Sequence, residues 1–132
     1  MSNPPEAPTI LLYVEDELLV QDVTEDALRE AGYEVVTASS GAEAIALVRK
    51  LSKSLRGVVT DVNLGKGENG WDVARRARES IAGVPVVYVS GANEGEWTSR
   101  GVPNSMMIAK PFAPAQVVTA MSSLLNAVDS AH

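Results

Sequence analysis

Short runs rich in β-branched residues alternate along the chain with segments whose apolar residues recur at helical spacing. The strand-like runs are Ile10–Val14, Glu34–Ala38, Gly57–Asp61, Val84–Val89 and Ser105–Ala109. Runs as apolar as Val84–Val89 are typical of strands buried on both faces, which favours a parallel sheet. The order therefore predicts an α/β fold, with a five-stranded parallel sheet and helices on both faces.

The intervening segments predict five helices. The apolar face of the first is expected to hold Leu18, Leu19, Val23, Ala27, Leu28 and Ala31, and Gly32 is suited to end it. The second, near Ser40 or Gly41, is carried by Ala44, Ile45, Leu47, Val48 and Leu51, and the third by Trp71, Val73, Ala74 and Ala77. The fourth, Asn93–Arg100, is the poorest, because Gly95 and Gly101 interrupt it. The last begins at Pro114 and presents Val117, Val118, Met121, Leu124, Leu125 and Val128.

The chain length suits a single domain, because 132 residues with 45% hydrophobic residues can bury one sizeable core. We expect a disordered lead over residues 1–8, a domain over 9–127 and a tail over 128–132. The start resembles no signal peptide, and no apolar run approaches the roughly 20 residues of a membrane span. A cytoplasmic protein is therefore expected.

Composition excludes several kinds of site. The chain has no cysteine, which removes disulfides, thiolate chemistry and cysteine-based zinc sites. Its one histidine, His132, excludes histidine clusters. The formal net charge of −6 argues against non-specific nucleic-acid binding.

Polar residues follow the apolar runs at the predicted carboxyl ends of four strands. They are Glu15 and Asp16, Asp61, Ser90, and Lys110. Each alone is unremarkable, because acids often begin helices and serines often occupy turns. Ligands of open parallel sheets, however, bind beyond the carboxyl ends of the strands, where all of these residues are expected to meet.

Carboxylates gathered in one crevice repel one another, and such a cluster is usually relieved by a proton, a cation or a lysine. With oxygen ligands only, the site suits Mg²⁺ or Mn²⁺ rather than zinc. A carboxylate beside such a metal, faced by a lysine and a hydroxyl, is suited to phosphoryl transfer with the carboxylate as nucleophile.

Four motifs at these strand ends resemble the receiver domain of two-component response regulators, a (βα)5 flavodoxin-like fold. They are Val14-Glu15-Asp16-Glu17, Val59-Thr60-Asp61-Val62-Asn63-Leu64, Val89-Ser90-Gly91 and Lys110-Pro111-Phe112. The resemblance covers about residues 9–126.

The resemblance implies a role for each residue. Asp61 would accept the phosphoryl group, becoming an aspartyl phosphate. Glu15 and Asp16 would hold the metal with Asp61 and the backbone carbonyl of Asn63. Ser90 would be the switch hydroxyl, and Lys110 would pair with the phosphoryl group. Pro111 often follows this lysine through a cis bond.

Two features depart from the family pattern. Receivers usually carry an aromatic switch residue three positions before the lysine, where this chain has Met107. Tyr88 or Trp97 could replace it, although packing roles are favoured for both. The glycine-rich loop Leu64–Gly70 is also unusual and lacks a common proline.

The resemblance further implies a stand-alone signalling switch rather than an enzyme. Its partners would be a histidine kinase or histidine phosphotransfer protein and a downstream protein. No direct nucleic-acid or membrane binding is expected. A homodimer could form through the face of the fourth helix, fifth strand and fifth helix.

Three other interpretations stay open. One is a degenerate receiver that is never phosphorylated and acts by interaction. A second is a small-substrate phosphohydrolase of the haloacid-dehalogenase type, but Asn63 stands where such enzymes need a second aspartate. A third is a flavodoxin-like cofactor carrier, disfavoured because acids follow the first strand.

Overall fold

The fold is a single parallel sheet with helices on both faces. The computed structural model describes residues 8–91 and 94–130. The strands are β1 (Ile10–Val14), β2 (Glu34–Ala38), β3 (Leu55–Asp61), β4 (Val86–Ser90) and β5 (Ser105–Ala109). All pair in parallel, in the order β2-β1-β3-β4-β5. The predicted α/β architecture is confirmed.

The helices are α1 (Leu18–Glu30), α2 (Gly41–Lys50), α3 (Gly70–Ser80), α4 (Trp97–Arg100) and α5 (Pro114–Ser130). A short 3₁₀ turn, Glu94–Glu96, precedes α4. The fourth helix is thus a single α-turn, which confirms that it is the poorest helix, although it is shorter than the predicted Asn93–Arg100. Helix α5 continues three residues past position 127. The predicted lead up to residue 7, Asn93 and the last two residues lie outside the described residues.

The core has two layers, one on each face of the sheet. Alternate β1 residues supply both, because successive side chains of a strand point to opposite faces. Leu12 and Val14 pack with buried residues of α2 and α3. Leu11 and Tyr13 pack with buried residues of α1 and α5. The strand ends between the layers are therefore held from both sides.

Three predicted strand boundaries were wrong, two of them by two residues and one by a single residue. β3 begins at Leu55 rather than Gly57, and β4 runs from Val86 to Ser90 rather than from Val84 to Val89. Pro85 has no N–H to give to the ladder, although its carbonyl accepts a hydrogen bond from the N–H of Val58 at 2.9 Å. Ser90 consequently lies inside its strand rather than after it.

The predicted apolar face of α1 was wrong in part, because Leu28 is buried as predicted but the leading residues are not. Leu18, Leu19 and Val23 are 64%, 83% and 58% exposed. The face turned inward carries Leu28 together with Gln21 and Thr24, which were not predicted. These three residues are spaced at helical intervals, but two of them are polar, so counting apolar residues could not find them.

Helix ends follow local signals. At the end of α1, Gly32 has φ of 100°, and the N–H groups of Gly32 and Tyr33 donate to the carbonyls of Arg29 and Leu28. This is a Schellman end, for which glycine is suited. Asn69 caps α3 in a reciprocal capping box with Asp72.

Within residues 8–91 and 94–130, none of the helices combines the length and the hydropathy needed to cross a lipid bilayer.

Candidate functional site

The carboxyl ends of β1, β3 and β4 lie side by side in the sheet. Val14 pairs with Thr60, one residue before Asp61, and Asp61 itself pairs with Val89. Ser90 pairs with Ala109, which directly precedes Lys110. The parallel register thus brings residues from distant parts of the chain to one edge of the sheet.

Lys110 closes the site by an ion pair with Asp61. Its ammonium Nζ lies 2.7 Å from Asp61 Oδ2 and 3.8 Å from Glu15 Oε1. The Asp61 and Glu15 side chains are only 4% and 1% exposed. A charge-assisted hydrogen bond of this length, largely shielded from water, is strong.

Three carboxylates face one another beside this lysine. One oxygen from each of Glu15, Asp16 and Asp61 lies within 4.8 Å of the other two. Glu15 and Asp61 are buried, whereas Asp16 is exposed. The structure thus brings together the acidic pair, the strand-end aspartate and the lysine that the sequence suggested.

Burial and neighbouring charges shift the pKa values of Glu15 and Lys110. Burial, and then the negative charge of Asp61, raise the pKa of Glu15 to about 8. Burial alone would lower the pKa of Lys110, but its hydrogen bond and charge attraction to Asp61 outweigh this and raise it. Lys110 therefore stays charged at neutral pH, and Glu15 holds a proton more tightly than an exposed glutamate does.

The donor set fits a hard divalent cation. The buried Glu15 Oε1 has no hydrogen-bond partner within the described residues, while Oε2 accepts from the Glu17 N–H at 3.3 Å. An unpartnered buried carboxylate oxygen is costly unless a ligand completes it. Clustered carboxylate oxygens are the ligands that Mg²⁺ prefers, so the residues present fit this ion.

Asn63 contributes to the site through its backbone. Its N–H donates to Asp61 Oδ1 at 3.2 Å, while its side chain is exposed. The second oxygen of Asp61 is held by Lys110, so both carboxylate oxygens are oriented. The Asn63 N–H therefore helps to fix the direction of the Asp61 side chain.

Ser90 is fully buried at the end of β4. Its backbone carbonyl accepts a hydrogen bond from the Lys110 N–H at 2.9 Å. The following Lys110–Pro111 peptide is cis. Ser90 is thereby fixed at the same sheet edge as the lysine.

Met107, Tyr88 and Trp97, the candidate switch residues, have contacts with the sheet, with Trp71 and with β5. Met107 is half-buried beside Tyr88 in the sheet. Tyr88 is fully buried, its ring is 4.6 Å from that of Trp71, and its hydroxyl accepts from the Val102 N–H at 3.0 Å. Trp97 is 36% exposed and donates from Nε1 to Ser105 Oγ at 2.9 Å. The two aromatic residues thus have packing and bridging contacts.

Two residues that support the site were missed from the sequence. Gln21 donates from its amide to the Glu15 carbonyl, and Gly70 lies against the Asp61 backbone. The spacing of Gln21, Thr24 and Leu28 was the available signal for the first. For Gly70, no local signal exists, because the close approach is a tertiary contact.

The fold and the site define a class of α/β proteins with an acidic pocket closed by a lysine. The family model of the response regulator receiver domain matches residues 11–122. The chain therefore belongs to this family, and it is a receiver domain of two-component signalling.

Individual proteins similar to this chain are also response regulators or receiver proteins. A response regulator receiver protein from Sinorhizobium medicae WSM419 is 46% identical, with a TM-score of 0.83, covering 92% of this chain and 97% of that one. Response regulator SaeR of Staphylococcus aureus is 28% identical over 126 residues, covering 94% of this chain and 54% of its own length. This chain spans about half the length of the curated relatives that it matches.

The fold is shared with more distant receivers. The receiver domain of sensor histidine kinase PA1611 from Pseudomonas aeruginosa has a TM-score of 0.76 at 24% identity, covering 91% of this chain and 99% of that one. That structure carries a magnesium ion in its active-site cleft.

Proposed function

We propose that this receiver is a phosphorylation-dependent switch in which Asp61 accepts a phosphoryl group in a Mg²⁺-dependent reaction. One observation carries the proposal: the buried Asp61 carboxylate lies 2.7 Å from the Lys110 ammonium within the three-acid cluster. The complete set of acids and lysine favours this function over that of a degenerate receiver.

In the proposed reaction, a carboxylate oxygen of Asp61 attacks the phosphorus of a phosphohistidine. The new O–P bond forms as the N–P bond breaks, and the histidine nitrogen leaves with its electron pair. The Lys110 ammonium balances charge on the transferred group, and the Ser90 hydroxyl donates a hydrogen bond to it. Glu15, Asp16, Asp61 and the Asn63 carbonyl would hold Mg²⁺, which neutralises further charge on the phosphoryl oxygens.

A signalling role is also favoured over phosphohydrolysis. Position 63, two residues after the acceptor, is asparagine, which cannot serve as a general acid. The aspartyl phosphate would therefore act mainly as a signal, in a domain that spans residues 9–127.

An apolar groove beside the site suits the phosphohistidine donor. It is about 550 Å³ in volume, lies between α1 and the start of α5, and reaches Lys110. Its lining includes Leu19 and Val23, which are 83% and 58% exposed. Exposed apolar residues of this kind mark interaction surfaces, so we assign this groove to a histidine kinase or histidine phosphotransfer protein.

We assign binding of the downstream partner to the face formed by α4, β5 and α5. β5 is an edge strand of the sheet, and its Met106 is 38% exposed. A downstream protein or a second copy of the chain could bind here. Phosphorylation would shift the population of two conformations of this face.

The acceptor assignment is tested with Asp61→Asn and a small acyl phosphate as donor. The wild type should gain one phosphoryl group in Mg²⁺ and none after chelation, measured by intact mass. Asp61→Asn should gain none, because an amide is a poor nucleophile. Glu34→Gln removes an exposed carboxylate at the amino end of β2, far along the strand from the site, and should behave as the wild type. Labelling that persists in Asp61→Asn would refute the assignment.

The donor groove is tested with Leu19→Ser. Phosphoryl transfer from the kinase or phosphotransfer protein that phosphorylates the wild type should slow, because the apolar contact is lost. Labelling by the small acyl phosphate should not change. Val128→Ser, a matched apolar-to-polar change on the far part of α5, should affect neither rate. Equal slowing with both donors would mean that Leu19 supports the folded structure rather than donor binding.

A further inference from the structure

Gln21 is an unusual residue for the buried face of a helix. It is 6% exposed and lies on the inward face of α1 with Thr24 and Leu28, while Leu19 of the same helix is 83% exposed. Burying an amide is costly unless its polar groups are paired. A leucine at position 21 would bury more apolar surface, so the amide calls for a specific explanation.

Its contacts supply one. The Gln21 side-chain amide donates to the Glu15 carbonyl at 3.0 Å and to the Ala38 carbonyl at 3.3 Å. The Ala38 carbonyl also accepts from the Glu15 N–H at 3.0 Å. One side chain from α1 therefore joins the carboxyl ends of β1 and β2 where the acidic pair begins.

Glu15 is buried within the cluster of acidic side chains. Its side chain is 1% exposed, and its carboxylate is crowded by those of Asp16 and Asp61. When Glu15 is ionised, as metal binding requires, its charge repels those of Asp16 and Asp61. The hydrogen bonds of Gln21 hold the Glu15 backbone against this repulsion.

We propose that Gln21 is a positioning residue for the metal-binding acids: it holds the Glu15–Asp16 segment in a geometry that favours cation binding. The inference rests on the proposed function, because it concerns the same Mg²⁺ site. Outer-shell hydrogen bonds that orient metal ligands commonly control metal affinity. Gln21 would do so through the backbone of a ligand residue rather than through its carboxylate.

The test is a calorimetric Mg²⁺ titration of Gln21→Met, which keeps the length of the side chain and removes its N–H donors. The Mg²⁺ dissociation constant should rise about tenfold, the lower end of the range for loss of an outer-shell partner. Gln21→Asn keeps the amide but draws it back by one methylene, so it should bind Mg²⁺ more weakly than the wild type. Val84→Ala, a core change at the opposite sheet edge, controls for general destabilisation and should keep wild-type affinity.

A second readout separates positioning from stability. The melting temperature of Gln21→Met should rise less with Mg²⁺ than that of the wild type, whereas Val84→Ala should show the full rise. A merely structural role would lower the melting temperature equally with and without Mg²⁺.

The inference is overturned if folded Gln21→Met binds Mg²⁺ as tightly as the wild type, or if Val84→Ala weakens binding equally. Should Gln21→Met not fold, Gln21→Asn decides by the same criterion. A wild type that binds no Mg²⁺ would overturn the proposed function and this inference together. Normal binding in both wild type and variant overturns the inference alone.

Discussion

Glu15 is the residue whose surroundings conflict most with its ordinary charge. Its carboxyl group is buried beside Asp61, and one oxygen has no hydrogen-bond partner within the described part of the chain. Lys110, 3.8 Å away, lies closer to Asp61 and relieves the crowding only in part. A proton or a cation is therefore needed at Glu15, and the two compete for the same oxygen atoms.

The raised pKa of Glu15 predicts that the stability of the metal-free protein depends on pH. The pKa of Glu15 is raised from 4.5 to about 8 in the folded protein, so the native state keeps a proton that the unfolded chain releases. Without metal, this contribution is complete below about pH 4.5 and is lost as pH rises through about 8. Melting temperatures in chelator should therefore fall over this interval. Glu15→Gln, which cannot ionise, should show a flatter profile, and an unchanged slope in this variant would contradict the assigned pKa.

At the scale of elements, sequence reasoning succeeded where the signal is local. The carboxyl ends of β1, β2, β3 and β5 could be predicted, as could Gly32 and Pro114, because each is encoded by a few neighbouring residues. The buried face of α1 could not be predicted, because two of its residues, Gln21 and Thr24, are polar. The apolar Leu19 and Val23 of the same helix line an exposed groove. The apolar pattern of α1 thus reflects a surface as well as the core.

The start of α3 is fitted tightly against the acceptor strand. A Cβ atom added at Gly70 would lie 2.2 Å from the Asp61 carbonyl oxygen and 2.8 Å from Val62 Cα, which are both backbone atoms that cannot turn aside. The Gly70 N–H also donates to the Val62 carbonyl at 2.8 Å. The helix and the site are therefore coupled at this residue.

Gly70→Ala should impair both stability and phosphorylation. Overpacking of this kind costs about 1–3 kcal/mol, and relief requires the Asp61 backbone or α3 to move. Urea unfolding and the labelling rate with a small acyl phosphate measure the two effects. Gly95→Ala is the control, because its Cβ would meet nothing within 4 Å. A wild-type labelling rate in Gly70→Ala would show that the site tolerates the shift.

At the scale of the whole molecule, the parallel topology explains why the site could be predicted at all. Asp61 and Lys110 are 49 residues apart, yet they pair because parallel strands present their carboxyl ends at one edge. Their distances and the role of Gln21 depend on packing between elements and could not be predicted from the sequence. Trp97, through Ser105, links α4 to β5 on the face assigned to output.

Cation binding should stabilise the whole fold, because a ligand that binds only the native state shifts the unfolding equilibrium. At 100 times the dissociation constant the gain is about 2.7 kcal/mol. Millimolar Mg²⁺ should therefore raise the melting temperature of the wild type, and raise it less for Asp16→Asn. Asp22→Asn, which removes an exposed acid of α1, should keep the full rise. An equal rise in Asp16→Asn would mean that Asp16 only begins the helix.

The central claim, that Asp61 is the residue that receives the phosphoryl group, is tested most directly by locating that group. The wild type is treated with a small acyl phosphate as donor in the presence of Mg²⁺. The aspartyl phosphate formed on the protein is then reduced, and the modified residue is identified by peptide mass spectrometry. Modification is expected at Asp61 alone, and only when Mg²⁺ is present. Modification at another residue, or at Asp61 without any divalent cation, would contradict this claim.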